Sequence, residues 1–222
     1  VQSRGMHAAV GIGVAVAISV LIGLAIERLL FRRLIGESVF SMIMVTIGLL
    51  ILMRGLVLLI WGPQERQFPA IIALAPLIFG DLIVPRSLAA GGIIAVVCAA
   101  GLHWFFNRSR AGLAMSAVAE DHQIALAMGI SVRRSIAFAW ALGGVLSVIT
   151  SMVYLSGKSL TFLSSEIGFA ALPVALLAGL ESIGGLLLAG IIVGVVQGLT
   201  AAYIDPLIGG NAAAVVPYVF ML

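Results

Sequence analysis

Apolar runs, most of them about as long as a bilayer core is thick, alternate along this chain with short polar breaks. They cover His7–Leu30, Val39–Trp61, Ser87–Phe106, Ser135–Leu155 and Gly185–Ile204. A helix needs about 20 residues to cross a core of ~30 Å, so each run is expected to be a transmembrane helix. Gly168–Leu180 is shorter and is interrupted by Pro173; it either crosses or turns back. A last run opens at Ala212 and stops at Leu222, after roughly half a bilayer's length. The pattern predicts an all-α polytopic membrane protein, a bundle of transmembrane helices. Residues 1–222 are read as one transmembrane domain of about six spans and a shortened last helix. The chain opens Val1-Gln2-Ser3, with no initiator Met and no signal peptide. Both ends are therefore expected to be internal to a longer membrane protein.

The polar break Asn107–Arg134 is the long one that carries a pattern. From Gly112 to Met128 it holds no proline and no β-branched run, and Ala, Leu, Met, Glu and Gln favour helix. Ala117, Ile124 and Met128 fall on one face at helical spacing, with Glu120 beside them and Asp121 next. Gly129 is placed to close this helix in the left-handed conformation. Ser131 is placed to cap the next one, which enters the membrane past Arg133-Arg134. Such a helix suits contact with a soluble partner, and equally suits an interfacial helix lying on the bilayer.

Composition fixes the solvent. The chain is 62% hydrophobic and 9% charged, against about 45–50% and about 25% in soluble domains, so the bilayer must cover its surface. The net charge of +3 is small; its placement is informative. Arg28, Arg32, Arg33, Arg108, Arg110, Arg133 and Arg134 lie in loops two spans apart, which share a side. Arg4, Arg66, Arg86 and Lys158 lie on the other. Basic loops stay in the cytoplasm, so Asn107–Arg134 is expected inside and Gly62–Arg86 outside. Cys98, the single cysteine, forms no intrachain disulfide.

Candidate chemistry inside the spans is sparse. Gly190, Gly194 and Gly198 recur four apart, a spacing that lets helices approach closely in lipid. Arg54, in the second span, either faces protein or water or reaches the outer interface near Trp61. Thr46 and Glu166 are further candidates for a substrate path: Thr46 as a helix-to-helix hydroxyl or a polar contact, Glu166 as a solvated loop acid or a partner for a substrate ammonium group. His7, His103 and His122 are scattered and make no metal constellation. No G-x-x-x-x-G-K-[ST] phosphate loop occurs, so no ATP hydrolysis is expected here. No catalytic triad is evident, and no cofactor, metal or nucleic acid is implied.

The stretch AVAEDHQIALAMGISVRRSIAFAWALGG resembles the cytoplasmic loop and following helix of the branched-chain amino-acid ABC transporter permeases. Ala119-Glu120-Asp121, Ala125 and Gly129-Ile130 carry the match. The later run GFAALPVALLAGLESIGGLLLAGIIVGVVQGLTAAYI looks like that family's penultimate region. Ser116 stands where the family commonly has Arg, Glu181 replaces a glycine of its late turn, and Pro173 is an addition. The resemblance implies a transport subunit rather than an enzyme, in a bacterial cytoplasmic membrane. It implies a second permease chain, two ATP-binding subunits and an external substrate-binding protein as partners. It makes Ala117, Glu120, Asp121, Ala125 and Gly129 the residues coupling to the ATPase, with a small Ala125 permitting close approach. Urea, amides or a sugar remain alternative cargoes. An ion-coupled transporter would need ionisable residues at mid-membrane and inverted repeats; Arg54 alone fits the first and no repeat is clear.

Overall fold

The computed structural model describes residues 8–34, 38–68, 70–71, 77–79, 82–161, 164, 167–179 and 182–221. The helices are α1 (Ala8–Leu29), α2 (Val39–Trp61), α3 (Arg86–Arg108), α4 (Arg110–Glu120), α5 (His122–Ala127), α6 (Val132–Leu155), α7 (Ile167–Leu177) and α8 (Ile183–Leu199). A π-helical segment, Thr200–Ile204, joins α8 to the short α9 (Asp205–Ile208), and α10 (Val216–Val219) follows. Among the described residues five helices are long and apolar enough to cross a membrane. The protein is thus an all-α, multi-pass membrane protein, and its spans lie where the apolar runs predict them.

The chain divides into two compact units, Val1–Gly91 with Phe106–Leu160 and Gly92–Phe105 with Thr161–Leu222. In the first, α1 packs along α6. The pairing is antiparallel: Ser19 meets Gly144, and one turn on in α1 Gly23 meets Trp140, one turn back in α6. Glycine makes both approaches close. A Cβ on Gly23 would stand 3.0 Å from the Trp140 carbonyl oxygen, and one on Gly144 would stand 3.1 Å from that of Ser19. At the basic end Phe31 tilts against Trp140, ring centroids 4.8 Å apart.

Short ladders decorate the loops. β1 (Arg66–Gln67) pairs antiparallel with β4 (Ser159–Leu160), and the Gln67 side-chain amide donates to the Ser159 hydroxyl at 2.9 Å. β2 (Leu77–Phe79) and β3 (Leu82–Val84) form a hairpin. The first ladder has a topological consequence. It joins the loop after α2 to the loop after α6, so both emerge on one side, as the basic-residue count expects of Arg66 and Lys158.

In the second unit α7, α8 and α10 pack together, with Pro173 and Pro217 fully buried. The run Gly168–Leu180 yields a helix ending at Leu177. At 1.5 Å per residue that is roughly 16 Å, about half a core. Gly179, at φ 82°, closes it.

Candidate functional site

The polar break folds as a corner rather than the continuous helix expected. Ser109 opens α4, its hydroxyl accepting from Gly112 N–H at 2.9 Å. α4 stops at Glu120 because Asp121 leaves helical geometry for an extended one, φ −152° and ψ 117°. Its N–H still donates to the Ala117 carbonyl at 3.1 Å. Its carboxylate accepts from Gln123 N–H at 2.7 Å and Ile124 N–H at 3.0 Å, capping α5. One residue therefore ends one helix and begins the next. The good helix formers around it are overridden because an aspartate gains two amide donors by leaving the helix. The bonds from Ile124 and Gln123 hold the Asp121 carboxyl below its ordinary range.

α5 closes as expected at Gly129, φ 78°. Ile130 N–H reaches back to the Ala125 carbonyl at 2.9 Å and Gly129 N–H to that of Leu126 at 3.0 Å, the Schellman pattern of a helix end. Ser131 occupies the N-cap position of α6, but its side chain makes no capping bond.

Burial changes the role of Ala125. It is 2% exposed and packs in a small core with Val118 and Val132, against which Ile130 and Ile136 lie. Its small side chain is taken up by the chain's own close packing with Val118 and Val132. Outward stand Ile124, 63% exposed, and Met128, 76% exposed. Glu120 is exposed and Ala117 half-buried. Because the helix breaks at Asp121, Ala117 does not share a continuous helical face with Ile124 and Met128.

The glycine row makes little contact among the described residues. Gly190, Gly194 and Gly198 are exposed, and a Cβ on Gly194 or Gly198 would meet nothing within 4 Å. The packed face of this helix carries Ala189, Val193 and Thr200. Close glycine approaches occur at Gly23, Gly91 and Gly144, and at Gly185 near the start of this helix.

The pathway candidates are not brought together. Thr46 is exposed and donates its hydroxyl to the Ile43 carbonyl at 2.7 Å within α2. Arg54 is half-buried. Glu166 lies outside the described residues. Glu27, for which the sequence predicts no role, is 5% exposed near the basic end of α1. The available signal was one acid in an apolar run, next to Arg28 and ahead of Arg32 and Arg33. Among the described residues no cluster of three His, Cys, Asp or Glu is placed to hold a metal.

The whole chain, residues 1–222, matches the family model described as branched-chain amino acid transport system / permease component. It is 27% identical over 188 residues to the high-affinity branched-chain amino acid transport system permease protein BraD of Pseudomonas aeruginosa, covering 81% of this chain and 60% of BraD. It is 29% identical over 205 residues to the permease protein LivH of Salmonella typhimurium, covering 86% of this chain and 64% of LivH. LivH of Escherichia coli K12 is 28% identical over the same length. The chain thus spans under two thirds of the length of these relatives. No solved structure matches it significantly. With spanning helices and a polar corner between two of them, matched end to end by that model, the chain belongs to the branched-chain amino acid transport permease family.

Proposed function

We propose that this chain is the membrane-spanning part of a permease subunit in an ATP-driven importer of amino acids, branched-chain ones first among them. The relatives named for that transport support the substrate class. The observation that carries the mechanism is the corner at Asp121. It projects apolar Ile124 and Met128 into the polar region between α3 and α6, while Ala125 anchors the same short helix to the start of α6. An exposed apolar knob on a rigid, capped support suits a groove on a partner. In this reading the partners are two ATP-binding subunits that hydrolyse ATP, a second permease chain that completes the pathway, and a binding protein that delivers substrate from outside. The membrane is the bacterial cytoplasmic one. Closure of the ATPase pair pushes on α5. Because Ala125, Val118 and Val132 are packed together, that push passes to α6 and through it to α1, biasing a two-state assembly. Arg54 is the stronger pathway candidate on α2; Thr46 is the weaker, its hydroxyl being already donated.

The test is substrate-stimulated ATP hydrolysis by the reconstituted complex. Ile124→Glu and Met128→Glu place charge on the exposed knob without touching the buried contacts. Both are expected to abolish stimulation while the permease still inserts and still pairs with its sister chain. Ala125→Trp is a poor probe because it breaks the corner from within. Full stimulation and uptake in the Ile124→Glu, Met128→Glu double variant would remove α5 as the transmitting element.

A further inference from the structure

A second site lies on the inner side of the same corner. Between α4 and the start of α6 is a cleft of about 280 Å³. Its polar lining is Ser131, Arg134 and Ser135; its apolar lining includes Met115 and Phe138. Ser135 is 8% exposed, and no described residue is hydrogen-bonded to its hydroxyl, which opens on the cleft. Among the described residues no buried side-chain oxygen lacks a partner, so this hydroxyl is accessible from the cleft and can bond a guest there. Above it the first turn of α6 has no side-chain cap from Ser131; of its N–H groups those of Arg134 and Ser135 donate to the Ser131 carbonyl, and the positions before them, Val132 and Arg133, face the helix end. The positive end of this helix, 24 residues long, thus meets a guanidinium and hydroxyl donors at one point. That donor set suits a tetrahedral anion with several acceptor oxygens.

We propose that this cleft binds a phosphate group, and that the group belongs to the headgroup of an anionic phospholipid. Depth and shape select the lipid. The apolar span Val132–Leu155 begins here, so the donors stand at the boundary where headgroups lie. Met115 and Phe138 give the cleft an apolar wall that a free inorganic anion does not need and that the first carbons of a lipid do. Arg133, Arg110 and Arg108 are near in sequence, on α6, α4 and the end of α3, and raise the local concentration of anionic lipid.

The experiment uses the intact transporter purified in detergent, with phosphatidylglycerol, phosphatidylcholine and inorganic phosphate as separate probes. Thermal unfolding and lipid retention in native mass spectrometry are the readouts. Phosphatidylglycerol is expected to be retained and to raise the unfolding temperature, whereas phosphatidylcholine does neither. Ser135→Ala is expected to weaken phosphatidylglycerol binding about tenfold, the size of a lost bond to a charged group. Arg134→Gln is expected to weaken it further, and Arg86→Gln, at the start of a different span, to leave it unchanged. If Arg134→Gln does not fold, Ser135→Ala decides, since it removes a single oxygen. Equal phosphatidylglycerol retention in wild type and Ser135→Ala overturns the site. Stabilisation by inorganic phosphate equal to that by phosphatidylglycerol overturns the lipid assignment.

Discussion

The Ser19 hydroxyl donates to the backbone carbonyl of Gly144 at 3.0 Å, where the missing side chain of Gly144 lets α6 lie against the backbone of α1. This is the joint of the first unit. In a membrane, apolar surface gives helices little reason to associate, so close backbone contact and interhelical hydrogen bonds must do it.

Gly144→Ala is therefore expected to destabilise the chain by about 1–3 kcal/mol, the usual cost of overpacking. Its neighbour Gly143, with nothing within 4 Å of an added Cβ, is expected to accept alanine without effect. Ser19→Ala is expected to cost about 0.6 kcal/mol, an average interhelical bond in lipid. Thermal unfolding in detergent ranks the three, and a Gly143→Ala loss equal to that of Gly144→Ala would contradict the packing described.

Val193 and Gly194 form a second contrast. Val193 is 3% exposed, while Gly194 is open. Val193→Ala is expected to cost about 1–2 kcal/mol through lost burial and a residual cavity. Gly194→Ala is expected to leave the fold as stable or slightly more so, since alanine favours helix. Expression and unfolding temperature are the measures; the reverse order would place the packed face of α8 on the glycine row.

The Asp121 corner carries a pH dependence whose sign is fixed. Its carboxyl is held below the ordinary range. The ionised form therefore stabilises the corner at all pH values above that range, about 4 for an aspartate. The contribution is lost as pH falls through the depressed value. Hydrogen-exchange protection of the α5 amides is expected to hold at neutral pH and to fall under acid. Asp121→Asn keeps a capping oxygen without the titration and is expected to flatten the profile. A profile identical to wild type would assign the effect to another group.

Gly129→Val tests the far end of the same helix. A β-branched residue at φ 78° is strained, at a cost on the order of 1–3 kcal/mol. Loss of α5 protection with α6 intact is the expected exchange pattern; unchanged protection would mean that the Gly129 turn does not hold α5.

Sidedness follows from the β1–β4 ladder. Cysteines replacing Gln64 and Lys158, in a Cys98→Ala background, are expected to react with an impermeant thiol reagent from one side. A cysteine replacing Asn107 is expected to react from the other. Shared reactivity of Gln64 and Asn107 positions would end this topology.

The spans were legible because a run of apolar residues long enough to cross a bilayer has few other solutions. Which face of a span packs was not. Hydropathy separates buried from exposed only where exposure means water, and in lipid both faces are apolar. The periodicity at Gly190, Gly194 and Gly198 was real, yet burial runs through Ala189 and Val193, one position earlier. The closing turn at Gly129 was readable because positive φ narrows the choice of residue. The break at Asp121 was hidden by neighbours that all favour helix. It depends on Val118, Ala125 and Val132 meeting across the corner, a tertiary fact. The β1–β4 ladder was unreadable because each strand has two residues, too few for any alternation to show.

Since Asp121 both ends α4 and starts α5, the direction in which α5 leaves depends on where α4 stops. Each residue added to or removed from α4 turns that exit by about 100° around the helix axis. A deletion in α4 would swing Ile124 and Met128 to another side of the molecule even if every remaining side chain kept its character. Drift along the outer surface of α4 is therefore cheap, and a change in its length is not. Within this stretch, residue count should be held more tightly than residue identity.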